Sequence, residues 1–217
     1  MLSEQLTKKI GEAGVIAVIT IDEPAQAVPL AKALLAGGVA GMELTLRTPK
    51  ALGAIEAIAG SVPEMTVGAG TVLTKDQVTA VRDAGAAFAV APGFNPEILA
   101  FADKIGFPFA PGVMTPSEIE NAFAAGCSVL KFYHAGVAGG LKALKALTAP
   151  YAHLGIKFIP LGGVSQDNLA EWVAEKSILA VGGSWIAPRE EIAEGNWDAI
   201  TSRAKEAMAV FKNERGA

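Results

Sequence analysis

The run Ser128 to Tyr133, SVLKFY, sets a lysine inside an otherwise apolar segment rich in β-formers, just after the helix-ending Ala125-Gly126. As a strand it would place Val129, Lys131 and Tyr133 on one face and Leu130 and Phe132 on the other. A buried ammonium is costly unless it is paired or loses its proton. The free amine is a nucleophile, and its usual product with a ketone is a Schiff base. The competing reading is a lysine at a strand end whose head reaches water. In GMELTLRTP the same alternation puts Glu43, Thr45 and Arg47 on one face, opposite Leu44 and Leu46. Glu43 and Arg47 could form an ion pair serving architecture, or supply a proton carrier beside a bidentate anion fork.

Glycines and hydroxyls recur where other apolar runs stop. GAGT puts Thr71 after one such run, APGF puts Pro92 after the next, and LGGVS and VGGSW close the last two. Paired glycines let backbone N–H groups approach an anion without side chains in the way. Tight turns also need glycine. Recurring in two adjacent late units, Gly162, Gly163, Gly183 and Ser184 point to a phosphorylated ligand.

These residues need a scaffold, and the chain alternates with little interruption. Apolar runs at 15–20, 42–46, 65–69, 87–91, 108–113, 128–133, 157–161 and 178–181 read as strands. Helical patterns are expected at 3–12, 24–36, 49–59, 75–83, 96–104, 116–124, 166–175 and 198–212. Continuously apolar strands belong to a parallel sheet covered by helices. Repeated strand–helix units without a linker or composition break predict one (β/α)8 barrel, residues 1–217, with a short N-terminal helix. An open doubly wound sheet is the alternative, weakened because no G-x-G-x-x-G follows the first strand. In a barrel, polar residues at the carboxyl ends of strands should line the active site.

Composition narrows the partners. Apolar residues make up 51% of the 217 and charged residues 18%, so a large core is available. A net charge of −4 without a basic tract argues against nucleic acid or an anionic membrane surface. The single cysteine, Cys127, reads as a small apolar filler. The N-terminal MLSEQLTKKI has no signal-peptide core and no apolar run approaches a membrane span, so a cytoplasmic protein is expected.

GVAGMELTLRTP, VGAGTVLT, APGFNPEIL, PGVMTPSEIENAFAAGCSVLKFY, IPLGGVSQDNLAEW and LAVGGSWI, in this order, resemble the bacterial 2-keto-3-deoxy-6-phosphogluconate (KDPG) aldolases, also described as 4-hydroxy-2-oxoglutarate aldolases. The similarity runs almost end to end, and the combination of E-x-T-x-R-T, G-A-G-T and L-K-F is specific. It implies a homotrimeric class I aldolase of the (β/α)8 class, cleaving the phosphorylated sugar acid to pyruvate and glyceraldehyde 3-phosphate. No cofactor or metal is implied, because the substrate is held as a Schiff base. By the same resemblance Lys131 is the Schiff-base lysine and Glu43 the general acid/base. Arg47 and Thr71 hold the pyruvyl carboxylate. Pro92 and Tyr133 wall the reacting carbons, Tyr133 standing where Phe is usual. The glycine pairs and Ser184 receive the phosphate. The sequence departs from the pattern at His134, where Pro is usual, and at Leu161, where a Thr commonly precedes Gly-Gly. The second change removes a hydroxyl from the pocket wall.

Other readings compete. A metal-dependent aldolase needs a cluster of His and acidic ligands, and His134 and His153 are too few; His153, before Gly155, reads as a helix-end residue. A phosphate-binding barrel without catalysis would keep the glycines but not Lys131 and Glu43. Within the class I lyases, an aldolase for 6-phosphogalactonate-type or unphosphorylated 2-keto-3-deoxy acids is the alternative.

Overall fold

Short runs of β-branched and aromatic residues alternate with helices whose starts are written locally. Thr74 and Thr115 each accept the N–H three residues on, with Gln77 and Glu118 returning the bond, and Asn95 caps the helix that Pro96 opens. The computed structural model describes residues 1–216. Its strands are β1 (Val15–Ile19), β2 (Gly41–Thr45), β3 (Thr66–Gly70), β4 (Phe88–Val90), β5 (Phe109–Ala110), β6 (Gly112–Val113), β7 (Val129–Tyr133), β8 (Lys157–Leu161) and β9 (Val181–Gly183). The α-helices are α1 (Glu4–Ala13), α2 (Ala27–Ala36), α3 (Ala51–Ser61), α4 (Lys75–Asp83), α5 (Pro96–Lys104), α6 (Pro116–Ala124), α7 (Gly140–Thr148), α8 (Leu169–Ala174), α9 (Arg189–Glu194) and α10 (Trp197–Arg215).

All strand pairs are parallel. One ladder runs β5-β4-β3-β2-β1-β9 and a second β6-β7-β8. The interruption between β5 and β6 is Pro111, which has no N–H to give to a ladder. Its carbonyl still accepts the Lys131 N–H at 2.9 Å, so β5 and β6 act as one bent stave. At the other seam Phe158 bridges Ile178, and the Leu179 N–H donates to the Phe158 carbonyl at 2.9 Å. The sheet thereby closes on itself as a (β/α)8 barrel.

Strand alternation sorts the core into an outer and an inner part. Val15, Ala17, Ile19, Met42, Leu44, Leu130 and Phe132 pack outward against the helices. Ile16, Phe88, Val90, Val129, Ile159 and Leu161 fill the interior. Helix α1, capped by Ser3 accepting from the Leu6 N–H, brings Ile10 and Leu6 onto this inner cluster beside Leu179 and Ala180. It plugs the amino-terminal end of the barrel, leaving the carboxyl ends of the strands for the site. Among the described residues no helix is long and apolar enough to cross a membrane.

Where structure and sequence reading differ, the causes are identifiable. The last strand pairs over Val181–Gly183 rather than 178–181, so the second glycine pair lies within a strand, with Gly183 in register with Ala17. Helices α7 and α9 have no counterpart in the sequence reading. Helix α7 begins after left-handed Gly139 without a side-chain cap, and α9 is six residues long. Both lack the local start signal that marked α4, α5 and α6.

Candidate active site

Lys131 comes from the middle of β7 and Glu43 from the middle of β2, both pointing into the barrel. The amine lies 2.9 Å from Glu43 Oε1, and the two residues are 5% and 2% exposed. Burial to this degree makes the pair a single unit, because either charge alone would face the full desolvation penalty. Gly70 of β3 makes room for it: a Cβ there would run into the Glu43 carboxylate. The architectural Glu43–Arg47 pair considered from sequence is not what forms, since Glu43 spends its reach on Lys131. Arg47 is exposed and lines the same cleft. The Tyr133 ring sits beside the amine, its centroid 5.3 Å from Nζ.

The cleft holds about 200 Å³ and opens at the carboxyl ends of the strands. Lys131, Glu43, Arg47, Tyr133, Gly162, Gly163, Gly183 and Ser184 all line it. Thr71 and Pro92 are not among its lining residues. Thr71 follows β3 with a φ of 60°, and the Pro92 backbone packs against Gly112 after β4. The cleft also takes in Thr20, which the sequence reading did not single out. Its signal was available as the polar residue ending the first apolar run. The Thr45 hydroxyl donates to the Ile19 carbonyl at 3.0 Å, leaving the Thr20 hydroxyl as donor in their 2.9 Å contact. This ties the carboxyl ends of β1 and β2 together at the cleft wall.

At the other end of the cleft, Gly162 and Gly163 turn the chain with φ of 81° and 92°, a conformation L side chains rarely adopt. Their carbonyls are occupied, Gly162 O by the Gly136 N–H at 2.7 Å and Gly163 O by Asn168 Nδ2 at 2.9 Å. Among the described residues, the N–H groups of Gly162, Gly163 and Ser184 have no partner. Free amides on a turn beside a cleft form an anion cradle.

A larger hollow of about 310 Å³ lies at the opposite end, around Gly155, Lys157 and Ser177. Two of its three lysines are committed, Lys145 to Glu175 at 3.0 Å and Lys157 to the carbonyl of the third, Lys176, at 2.9 Å. Burial pushes the Cys127 thiol up to about 11, so it stays a protonated core filler. No three His, Cys, Asp or Glu side chains gather into a metal-holding group among the described residues.

A parallel barrel with a buried lysine–carboxylate pair, opening toward a turn with free backbone amides, defines a class: (β/α)8 enzymes that use an amine as nucleophile. Residues 6–203 match the aldolase family described as KDPG and KHG aldolase. The KHG/KDPG aldolase of Escherichia coli (strain K12) is 44% identical over 194 residues, 89% of this chain and 90% of that protein. The 2-dehydro-3-deoxy-phosphogluconate aldolase of Treponema pallidum (strain Nichols) is 42% identical over 196 residues, 90% of this chain and 92% of that one. The crystal structure of KDPG aldolase from Legionella pneumophila, with pyruvate captured at low pH as a covalent carbinolamine, superposes with a TM-score of 0.88 at 40% identity. That match covers 93% of this chain and 97% of the other. The chain belongs to the KDPG and KHG aldolase family.

Proposed function

We propose that this chain is a class I aldolase cleaving 2-keto-3-deoxy-6-phosphogluconate to pyruvate and glyceraldehyde 3-phosphate, and 4-hydroxy-2-oxoglutarate to pyruvate and glyoxylate. The observation that carries this reading is the 2.9 Å contact between Lys131 Nζ and Glu43 Oε1 inside the barrel. Passing one proton from ammonium to carboxylate across it leaves a neutral amine beside a neutral acid. The amine adds to the C2 ketone, and Glu43 protonates the carbinolamine hydroxyl so that it departs as water. The resulting iminium accepts the C3–C4 bonding electrons while Glu43, as base, takes the C4 hydroxyl proton directly or through a water. The aldehyde leaves, the enamine is protonated at C3, and water hydrolyses the imine to release pyruvate. No cofactor takes part.

Arg47 suits the C1 carboxylate as a planar bidentate fork, with Thr71 beside it in this assignment. Tyr133, which lines the cleft, walls the reacting carbons and keeps water away; Pro92 shares that role in this assignment, although it is not among the residues lining the cleft. The turn at Gly162 and Gly163, with Gly183 and Ser184, receives the phosphate. Residues 1–217 act as one barrel domain in the cytoplasm, and the chain assembles as a homotrimer. Exposed Leu73 and Met114, on loops following β3 and β6, support such an assembly by offering apolar surface at the catalytic end.

Borohydride reduction in the presence of pyruvate tests the reading. Peptide mapping should find a reduced pyruvyl group on Lys131, and chelator should leave aldol cleavage unchanged. Label on Lys142 or Lys157, or activity restored by adding back a divalent metal, would overturn it.

A further inference from the structure

His134 is the residue of the cleft to which the lysine–glutamate chemistry gives no role. Its ring lies against the Tyr133 ring, centroids 5.2 Å apart, and across the Gly162 turn. A Cβ on Gly162 would fall 2.7 Å from its Cδ2 and Nε2, so the imidazole packs directly on the backbone that carries the free amides. The two ring nitrogens differ. Nδ1 is buried without a partner, whereas Nε2 makes no hydrogen bond among the described residues and is not shut off from the cleft. A proton on Nδ1 would strand a donor in a site with no acceptor. A proton on Nε2 leaves only a lone pair there and turns the N–H toward the glycine end.

The charges around this end are few. Of the other ionisable groups lining the cleft, Lys131 is consumed by the imine and Glu43 is its proton partner. Arg47 serves the C1 carboxylate in the assignment above, and Tyr133 faces the amine. The anion arriving at the turn therefore meets backbone amides, the Ser184 hydroxyl and one further side-chain donor.

We propose that His134 is a specificity-determining residue whose Nε2–H donates a hydrogen bond to the C6 phosphate of the substrate, completing the cradle begun by Gly162 and Gly163. The inference rests on the aldolase reading and concerns the far end of the same site. A hydrogen bond to a charged group that a neutral competitor lacks should be worth about 10–100-fold in selectivity. Most of that should appear in kcat/KM for the phosphorylated substrate, because remote binding energy is felt there.

The experiment compares kcat/KM for 2-keto-3-deoxy-6-phosphogluconate with that for its unphosphorylated counterpart in wild type and three variants. His134→Gln carries an amide N–H to about the reach of Nε2 and should keep the ratio within a few-fold. His134→Asn reaches only as far as Nδ1, and His134→Phe keeps a ring on Gly162 without a donor. Both should lower the ratio about 10-fold or more. Retention of the wild-type ratio in His134→Phe would overturn the proposal, since packing alone would then suffice. Borohydride trapping of pyruvate at Lys131 separates the two levels: its loss in wild type sinks the aldolase reading, whereas its survival with an unchanged ratio sinks only the role of His134. Should the variants fail to fold, imidazole nitrogen NMR on the natural residue decides. The chain has two histidines, so His153→Gln assigns the spectrum. Titration with inorganic phosphate should move the His134 Nε2 resonance saturably, and an unmoved resonance would overturn the assignment.

Discussion

Glu43→Gln keeps the length of the side chain and an oxygen for the Lys131 amine to donate to, but cannot carry a proton. Turnover should fall about 10²–10⁴-fold while the barrel stays folded, as read by steady-state aldol cleavage alongside thermal unfolding. Arg47→Ala should behave differently. Removing a bidentate contact to the carboxylate should raise KM about 10-fold or more with a smaller change in kcat, because that contact is made in ground and transition states alike. At this scale much of the site was legible. Lys131 and Glu43 are conspicuous because a charge inside an apolar run has few structural excuses. Their pairing was not legible, since residues 88 positions apart meet only once the barrel closes. Thr71 and Pro92 show the converse: their place after a strand was readable from sequence, but not whether they would reach the cleft.

The elements act through close approach and through ties between helices. Gly70 of β3 lies against the Glu43 carboxylate of β2, so Gly70→Ala should displace that carboxylate from Lys131. The expected result is a turnover loss of about 10²-fold, with overpacking costing about 1–3 kcal/mol in denaturant unfolding. Away from the site, Glu175 joins the end of α8 to Lys145 of α7 and to Ser177. Burial works to raise its carboxyl, but hydrogen bonds from Lys145 and Ser177 outweigh that and hold it below the ordinary carboxylate range. A depressed carboxylate stabilises the fold above that range and loses its contribution as pH falls through the lowered value. Glu175→Gln should therefore cost about 0.5–1 kcal/mol near neutrality, allowing for solvent screening of the exposed Lys145. The difference from wild type should vanish in strong acid, which urea unfolding across pH will read. The elements read best from sequence were α4, α5 and α6, whose caps and prolines lie within a few residues of the helix start. The shift of β9 depends on partners elsewhere in the barrel, so no local pattern announced it, whereas the bend at Pro111 had a local signal in the proline itself, read over as part of one run at 108–113.

For the whole molecule, the assembly is the measurable quantity. Sedimentation equilibrium should give about three times the 22.2 kDa chain mass. Leu73→Asp combined with Met114→Lys should shift it toward the single chain, since unlike charges replace the apolar surface a partner would cover. A wild-type mass of one chain would remove the trimer. The fold class was legible because the alternation of strands and helices repeats along the chain, and a repeated pattern survives errors at any one boundary.

Helix α1 stoppers one end of the barrel, and Lys131 and Glu43 lie deep in the interior above it, nearly inaccessible. Traffic through a vessel closed at its base is last in, first out. With Lys131 as the proposed nucleophile, the pyruvyl half would be tethered at the bottom and would stay until the aldehyde half had cleared the mouth. Run in the synthetic direction, the same geometry makes the keto acid the leading reactant, loaded and activated before the aldehyde arrives. The covalent tether proposed at Lys131 would set that order, and the plug at α1 leaves both halves the same exit, at the carboxyl ends of the strands.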